Sequence, residues 1–141
     1  MKSKLNIYTS FVSPKTLDLF IGSNILPIFI IRSIHTSKLI GMYSDTSIHF
    51  KELSPSNSLY QAKRDGLIGM TDFEKRYTIE MSEINFQDVI KRLDYLASLC
   101  NASGVVLMGY GEDPNQCHRK TLMDLLNYSD LLENKIREAE L

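Results

Sequence analysis

Cys117, His118 and Arg119 are consecutive. They follow Asp113-Pro114, a pair suited to opening a helix, and Gly109-Tyr110-Gly111, a turn that can bring backbone close to a ligand. A thiol near a helix start is shifted toward thiolate by the helix dipole. An imidazole beside it can take or give a proton near neutral pH. A guanidinium about a turn and a half into the helix can fork onto phosphate or carboxylate. The amides of a helix start have no internal partners and hold an anion without help from lysine. The stretch from Asp113 to Arg119 therefore reads as an anion or nucleotide site, with Cys117, Glu112 and His118 as the candidate reactive groups. Each feature has a plainer reading by itself. A lone cysteine in a helix is as often a small core residue, and a lone histidine is more often a surface or hydrogen-bonded residue. The three side chains together at one turn are harder to dismiss.

The elements that would position them are legible. Leu5–Ser10 reads as a short strand ending in Tyr8, Thr9 and Ser10, and Thr16–Ile21 as a helical turn. Ile25–Ile31 and Val105–Met108 are continuous apolar runs, the pattern of strands covered on both faces. Pro27 lies near the start of its run, where a lost ladder donor is tolerable. Thr71-Asp72-Phe73-Glu74 has capping-box spacing, with Tyr77 and Met81 continuing at i+4 steps from Phe73. Asn85 is placed to cap a helix whose stripe is Phe86, Val89, Ile90, Leu93, Leu96 and Ala97. Asp113-Pro114 is expected to open the last helix, with Leu122, Leu125 and Leu126 on its core face. Residues 133–141 are charged and read as a solvated helical tail. Buried runs alternating with amphipathic helices imply one α/β domain over residues 1–141: a Rossmann-like, mostly parallel sheet with helices on both faces.

In such sheets ligands sit outside the carboxyl ends of the strands. Those ends carry Tyr8-Thr9-Ser10, Arg32-Ser33 and Gly109-Tyr110-Gly111. Arg32 closes an apolar run and needs a partner, either an ion pair or an anion shared with Arg119. The expected ligand-binding set is therefore Tyr8, Thr9, Ser10, Arg32, Gly109, Tyr110, Gly111, Cys117, His118 and Arg119. Tyr60, Lys63, Arg64 and Tyr77 mix basic and aromatic character, which a solvated helix face explains equally well.

Composition narrows the partners. Sixteen basic and seventeen acidic residues leave a net charge of −1, with no basic excess for coating nucleic acid. The longest apolar run, Ile25–Ile31, is far short of the roughly 20 residues a bilayer needs. Lys2 and Lys4 are followed by Asn6, Tyr8, Thr9 and Ser10, which break any signal-peptide core. Cys100 and Cys117 make no disulfide framework, so a bacterial or phage-infected cytoplasm is expected. His35, His49 and His118 are widely spaced, there is no CxxC or HExxH, and no metal or other cofactor is expected. Ser10, Ser13 and Ser33 lack the G-x-S-x-G context of a hydrolase elbow. A homo-oligomer is compatible with the sequence.

Several segments together resemble the bacterial and phage family called domain of unknown function 488. Asn6–Phe11 resembles its opening strand, Pro27–Arg32 its second strand and arginine, and Leu53-Ser54-Pro55-Ser56 its L-x-P-S segment. Phe73–Met81 resembles its tyrosine-containing helix, and Val105–Leu126 its closing Cys-His-Arg signature. The resemblance implies a Rossmann-like fold. It also implies a Cys-x-Glu pair ahead of the closing helix, where this chain has Gly109 and Gly111 and carries Glu112 one position later. On that implication the pocket is kept and the reaction is reduced or lost. The expected function is then binding, as sensor or sequestering agent, of a small anionic nucleotide-like ligand, including as a phage counter to a host signal. The alternatives are an enzyme acting on a nucleoside or nucleotide by N-glycosidic or phosphate chemistry, and a protein-interaction module. Against catalysis stands the expectation that neighbours on a helix diverge by about 100°, which would keep Cys117 and His118 from facing one atom.

Overall fold

A computed structural model describes residues 2–31 and 48–141. Its centre is a five-stranded sheet: β1 (Ile7–Phe11), β2 (Ile25–Phe29), β3 (Ile48–His49), β4 (Gly104–Gly109) and β5 (Arg137–Glu138). All neighbouring pairs are parallel, in the order β3-β2-β4-β1-β5. The two apolar runs are adjacent strands, in register from Ile25 opposite Gly104 to Phe29 opposite Met108. Pro27 precedes Ile28 and Phe29, the β2 residues that pair with β3, so its missing donor lies ahead of that described pairing.

Strand alternation divides the core in two. Ile28, Val105 and Leu107 face a large apolar cluster. Four helices among the described residues contribute to it: α2 (Asn57–Arg64), α3 (Met70–Met81), α4 (Phe86–Leu99) and α5 (His118–Tyr128). Phe29, Ile31, Val106 and Met108 face the opposite side, against Leu17 and Phe20 of α1 (Pro14–Gly22). The sheet is thus covered on both faces, and the α/β Rossmann-like reading holds. From β1 the chain crosses toward β2 over the α1 face. From β4 it crosses toward β5 over the other face, through α5. Adjacent strands whose connections depart in opposite directions leave a crevice at their carboxyl ends.

Several expected boundaries move. Helix α1 begins earlier than Thr16, because Ser13 and Thr16 form a reciprocal cap ahead of Pro14. Helix α3 is not capped by Thr71: Gly69 in extended conformation precedes Met70, whose side chain packs on the core and draws the first turn forward. Asn85 does cap α4, accepting from the Asp88 amide at 3.1 Å. Asn24, Asn101 and Asp130 adopt left-handed φ of 60°, 54° and 59° just beyond α1, α4 and α5, as helix-terminating residues with short polar side chains do.

Two differences matter for the site. Asp113-Pro114 opens only a 3₁₀ turn, Pro114–Gln116, in which the Asp113 carboxylate accepts from the Asn115 amide at 2.9 Å. The α-helix starts at His118, with Cys117 as its extended cap residue (φ −135°, ψ 145°). The charged tail is not a solvated helix. Ile136 is buried, Asn127 brackets its backbone N–H and C=O, and Arg137–Glu138 then pairs with β1. No described helix is long and apolar enough to cross a membrane.

Candidate active site

Strand β4 ends at Gly109, and the reason is steric. A Cβ built there would lie 2.5 Å from Cys117 Sγ, inside any tolerable contact. The sulfur therefore occupies the place a side chain would take, and the close approach seats Cys117 against the strand end. Tyr110 and Gly111 then turn the chain toward Asp113.

Because Cys117 caps the helix instead of lying within it, the expected 100° divergence from His118 does not apply. Its extended backbone turns the thiol toward the imidazole, and Sγ lies 3.9 Å from His118 Nδ1. The other ring nitrogen, Nε2, is hydrogen-bonded to the Ile30 carbonyl and can only donate there. In the neutral ring this leaves Nδ1 as an acceptor facing sulfur. The Tyr77 ring meets His118 edge-on at 5.3 Å between centroids, and its hydroxyl donates to the Leu53 carbonyl at 2.6 Å. Both the tautomer and the plane of the imidazole are thereby set. Burial raises the Tyr77 pKa well above its ordinary value, so the ring remains a neutral donor.

Burial alone would push the Cys117 thiol up. The hydrogen bond and charge of His118, followed by the backbone amide and guanidinium of Arg119, outweigh that and bring its pKa to about 6. At pH 7 about nine-tenths of such a thiol is thiolate.

Arg119 is fully buried, and it is not among the described residues that line the cavity above the thiol. Nε and Nη2 fork onto Glu138 at 3.0 and 2.9 Å, Nη2 also donates to Glu112 O at 3.0 Å, and Nη1 donates to Gly111 O. Burial pulls its pKa down, the Glu138 carboxylate and neighbouring thiolate push it up, and the net shift is upward. The fork expected to grasp a ligand instead grasps the last strand and the 111–112 backbone, which fixes the loop over the thiol. Thr9 Oγ1 joins the cluster, donating to Glu138 at 2.6 Å.

A cavity of about 500 Å³ opens above the thiol at the carboxyl ends of β2, β3 and β4. Cys117, His118, Tyr110, Gly111 and Gln116 form one wall. Pro55, Asn57, Tyr60, Lys63 and Arg64 form another, with Ile31 and Phe73 between them. Of the expected ligand set, Tyr110, Gly111, Cys117 and His118 are brought together here. Gly109 lies behind the sulfur, and Thr9 and Arg119 meet at Glu138. Tyr8 and Ser10 are on the opposite face of β1: Tyr8 packs with the α1 cluster, and the buried Ser10 hydroxyl has no partner among the described residues. The Glu112 side chain is exposed and outside the cavity lining. Arg32 and Ser33 lie outside the described residues.

Residues 33–130 match the family model described as the active DUF488-N3 subclade (DUF488-N3a). The chain belongs to the DUF488 family. No curated protein and no solved structure matches it. Within this DUF488 chain, the L-x-P-S segment has a structural role. Leu53 is buried, Pro55 lines the cavity, and Ser56 caps α2 by accepting from the Leu59 amide while its own amide donates to Glu80 on α3 at 2.8 Å. That cap aims the α2 wall at the thiol.

Two contributions were missed in the sequence. Glu138 stands in a charged tail, where only the apolar Ile136 and Ala139 around it hinted at a strand. The α2 wall was weighed as a solvated face, although Asn57, Tyr60 and Lys63 at i, i+3 and i+6 mark one side of a helix.

Gly109→Ala gives a test of the seating. The added methyl drives Sγ from its position, so the Cys117 pKa is expected to rise from about 6 toward that of an ordinary thiol. Overpacking should also cost about 1–3 kcal/mol of stability. Thiol titration by ultraviolet absorbance and urea denaturation read the two effects.

Proposed function

We propose that this DUF488 protein is an enzyme that uses the Cys117 thiolate as a nucleophile on a small, anionic, nucleotide-like ligand, with His118 as its proton partner. One observation carries the reading: the thiol faces Nδ1 of an imidazole whose other nitrogen is tied to a backbone carbonyl, at the wall of a ligand-sized cavity. Nucleophile, base and orienting group in that sequence are the signature of an activated nucleophile. The matched subclade is described as active, which agrees.

The chemistry balances without a cofactor. The thiolate gives its electron pair to an electrophilic glycosyl carbon or phosphorus of the ligand, and the bond to the leaving group breaks. The leaving group takes the proton that His118 Nδ1 accepted from the Cys117 thiol when the thiolate formed. Water then attacks the adduct, His118 takes a proton from it, and the thiolate departs. A compartment that keeps Cys100 and Cys117 reduced, such as a bacterial or phage-infected cytoplasm, suits this chemistry. There it would remove a nucleotide signal.

A second reading is sequestration without turnover. It is favoured by the absence of any carboxylate from the described cavity lining and by Gly109 and Gly111, which bring no side chain to the site. Incubation with a small-molecule extract of bacterial cells, followed by mass spectrometry of extract and intact protein, separates the two. Depletion of a nucleotide-like compound over many turnovers, with a transient adduct on Cys117, supports the enzyme. Stoichiometric recovery of an intact ligand supports the binder and overturns the enzyme.

A further inference from the structure

The cavity has an asymmetric charge pattern that the thiol site does not use. Its described lining includes Lys63 and Arg64 of α2 and no carboxylate. Arg64 is half committed, lying 3.2 Å from the exposed Asp65 and 5.9 Å from the Tyr60 ring centroid. Lys63 is half-buried, with its ammonium 5.6 Å from the Phe73 ring centroid, and it forms no ion pair among the described residues. An ammonium held over an aromatic face is directed but not neutralised. Tyr60, from α2, and Tyr110, from the loop after β4, add aromatic surface from two different walls.

Resting on the reading above, we infer that the anionic group of the ligand is received by Lys63 on α2, and not by Arg119 or the 113–116 turn, while Tyr60 and Tyr110 take a planar ring. The ligand class is therefore a ring joined to a phosphate or equivalent anion, as in a nucleoside monophosphate, with its reactive centre toward Cys117. Several features agree. Arg119 already has its carboxylate, in Glu138, and the Asn115 amide is taken by Asp113. Among the described lining residues, uncompensated positive charge faces an entering anion from the α2 wall, and low-dielectric surroundings strengthen the attraction.

The test is calorimetric titration of the Cys117→Ser protein, which cannot turn its ligand over by this route. The probes are AMP, GMP, CMP and UMP, their nucleosides, and ribose 5-phosphate. At least one monophosphate should bind tenfold or more tightly than both its nucleoside and ribose 5-phosphate. Lys63→Gln should reduce that monophosphate to the level of its nucleoside and leave the nucleoside unchanged. Tyr60→Ala should weaken both. Lys75→Gln, on α3 and away from this cavity, should change nothing. The inference is overturned if no monophosphate gains over its nucleoside, or if Lys63→Gln acts no differently from Lys75→Gln. Tight monophosphate binding with no turnover by the wild type would support this site and sink only the chemistry proposed above. Turnover of a ligand insensitive to Lys63→Gln would do the reverse.

Discussion

Cys117→Ser is expected to abolish turnover of the ligand, with a loss in kcat on the order of 10⁴–10⁶-fold, as removal of a covalent nucleophile does. A serine hydroxyl at this position cannot ionise near neutral pH, so the lowered pKa of the thiol has no counterpart in the variant. Binding should survive, since the charge and ring contacts come from Lys63, Tyr60 and Tyr110 and not from the sulfur. His118→Asn should lose much of kcat as well, because the variant lacks the proton partner and the thiol returns toward its ordinary pKa. In the wild type kcat/KM should rise as pH passes upward through about 6, where the thiolate forms. Turnover retained by Cys117→Ser would exclude the thiolate mechanism.

The second large effect is structural. Arg119→Ala should destabilise the protein by about 3–5 kcal/mol, the range for removing one partner of a buried pair. That is a large part of the roughly 5–15 kcal/mol that typically holds a domain folded. The causes are specific: Glu138 loses both arms of its fork, and the Gly111 and Glu112 carbonyls lose their donor. Glu138→Ala should fall in the same range, and the two should be strongly non-additive in a double-mutant cycle. Denaturant midpoints measure this. A change below about 1 kcal/mol for Arg119→Ala would show that the cluster does not hold the loop. Loss of ligand binding in Arg119→Ala would, on this account, follow from loop disorder, so the Arg119→Lys variant should bind better than Arg119→Ala.

How much of this the residues announced depended on their range. The sheet was legible because Ile25–Ile31 and Val105–Met108 are apolar at every position, which only a doubly covered strand requires. The Asn85 cap and the stripe from Phe86 to Ala97 are local patterns, and they held. The start of α5 was misread because Asp113-Pro114 satisfies the local rule for a helix start, yet its turn closes as 3₁₀ and the α-helix begins four residues later. That shift turned Cys117 from a helical residue into a cap, and so reversed the reading of its relation to His118. Glu138 was illegible for a different reason. Its role depends on a partner nineteen residues away and on a strand only two residues long, which leaves no periodicity to detect. Arg119 is expected from the sequence to fork onto a ligand's phosphate or carboxylate; in the structure its fork is on Glu138, and one sequence cannot say whether the anion comes from a ligand or from the chain.

A Cys117 thiolate held against His118 at the wall of the cavity is what sets the chemistry proposed for this chain. The most direct measurement is the pH dependence of iodoacetamide alkylation at Cys117, resolved from Cys100 by peptide mass spectrometry, in the wild type and in His118→Asn. An apparent pKa of about 6 is expected in the wild type, with a rise of more than one unit in the variant. A wild-type profile midway between pH 8 and 9, unchanged by His118→Asn, would contradict it.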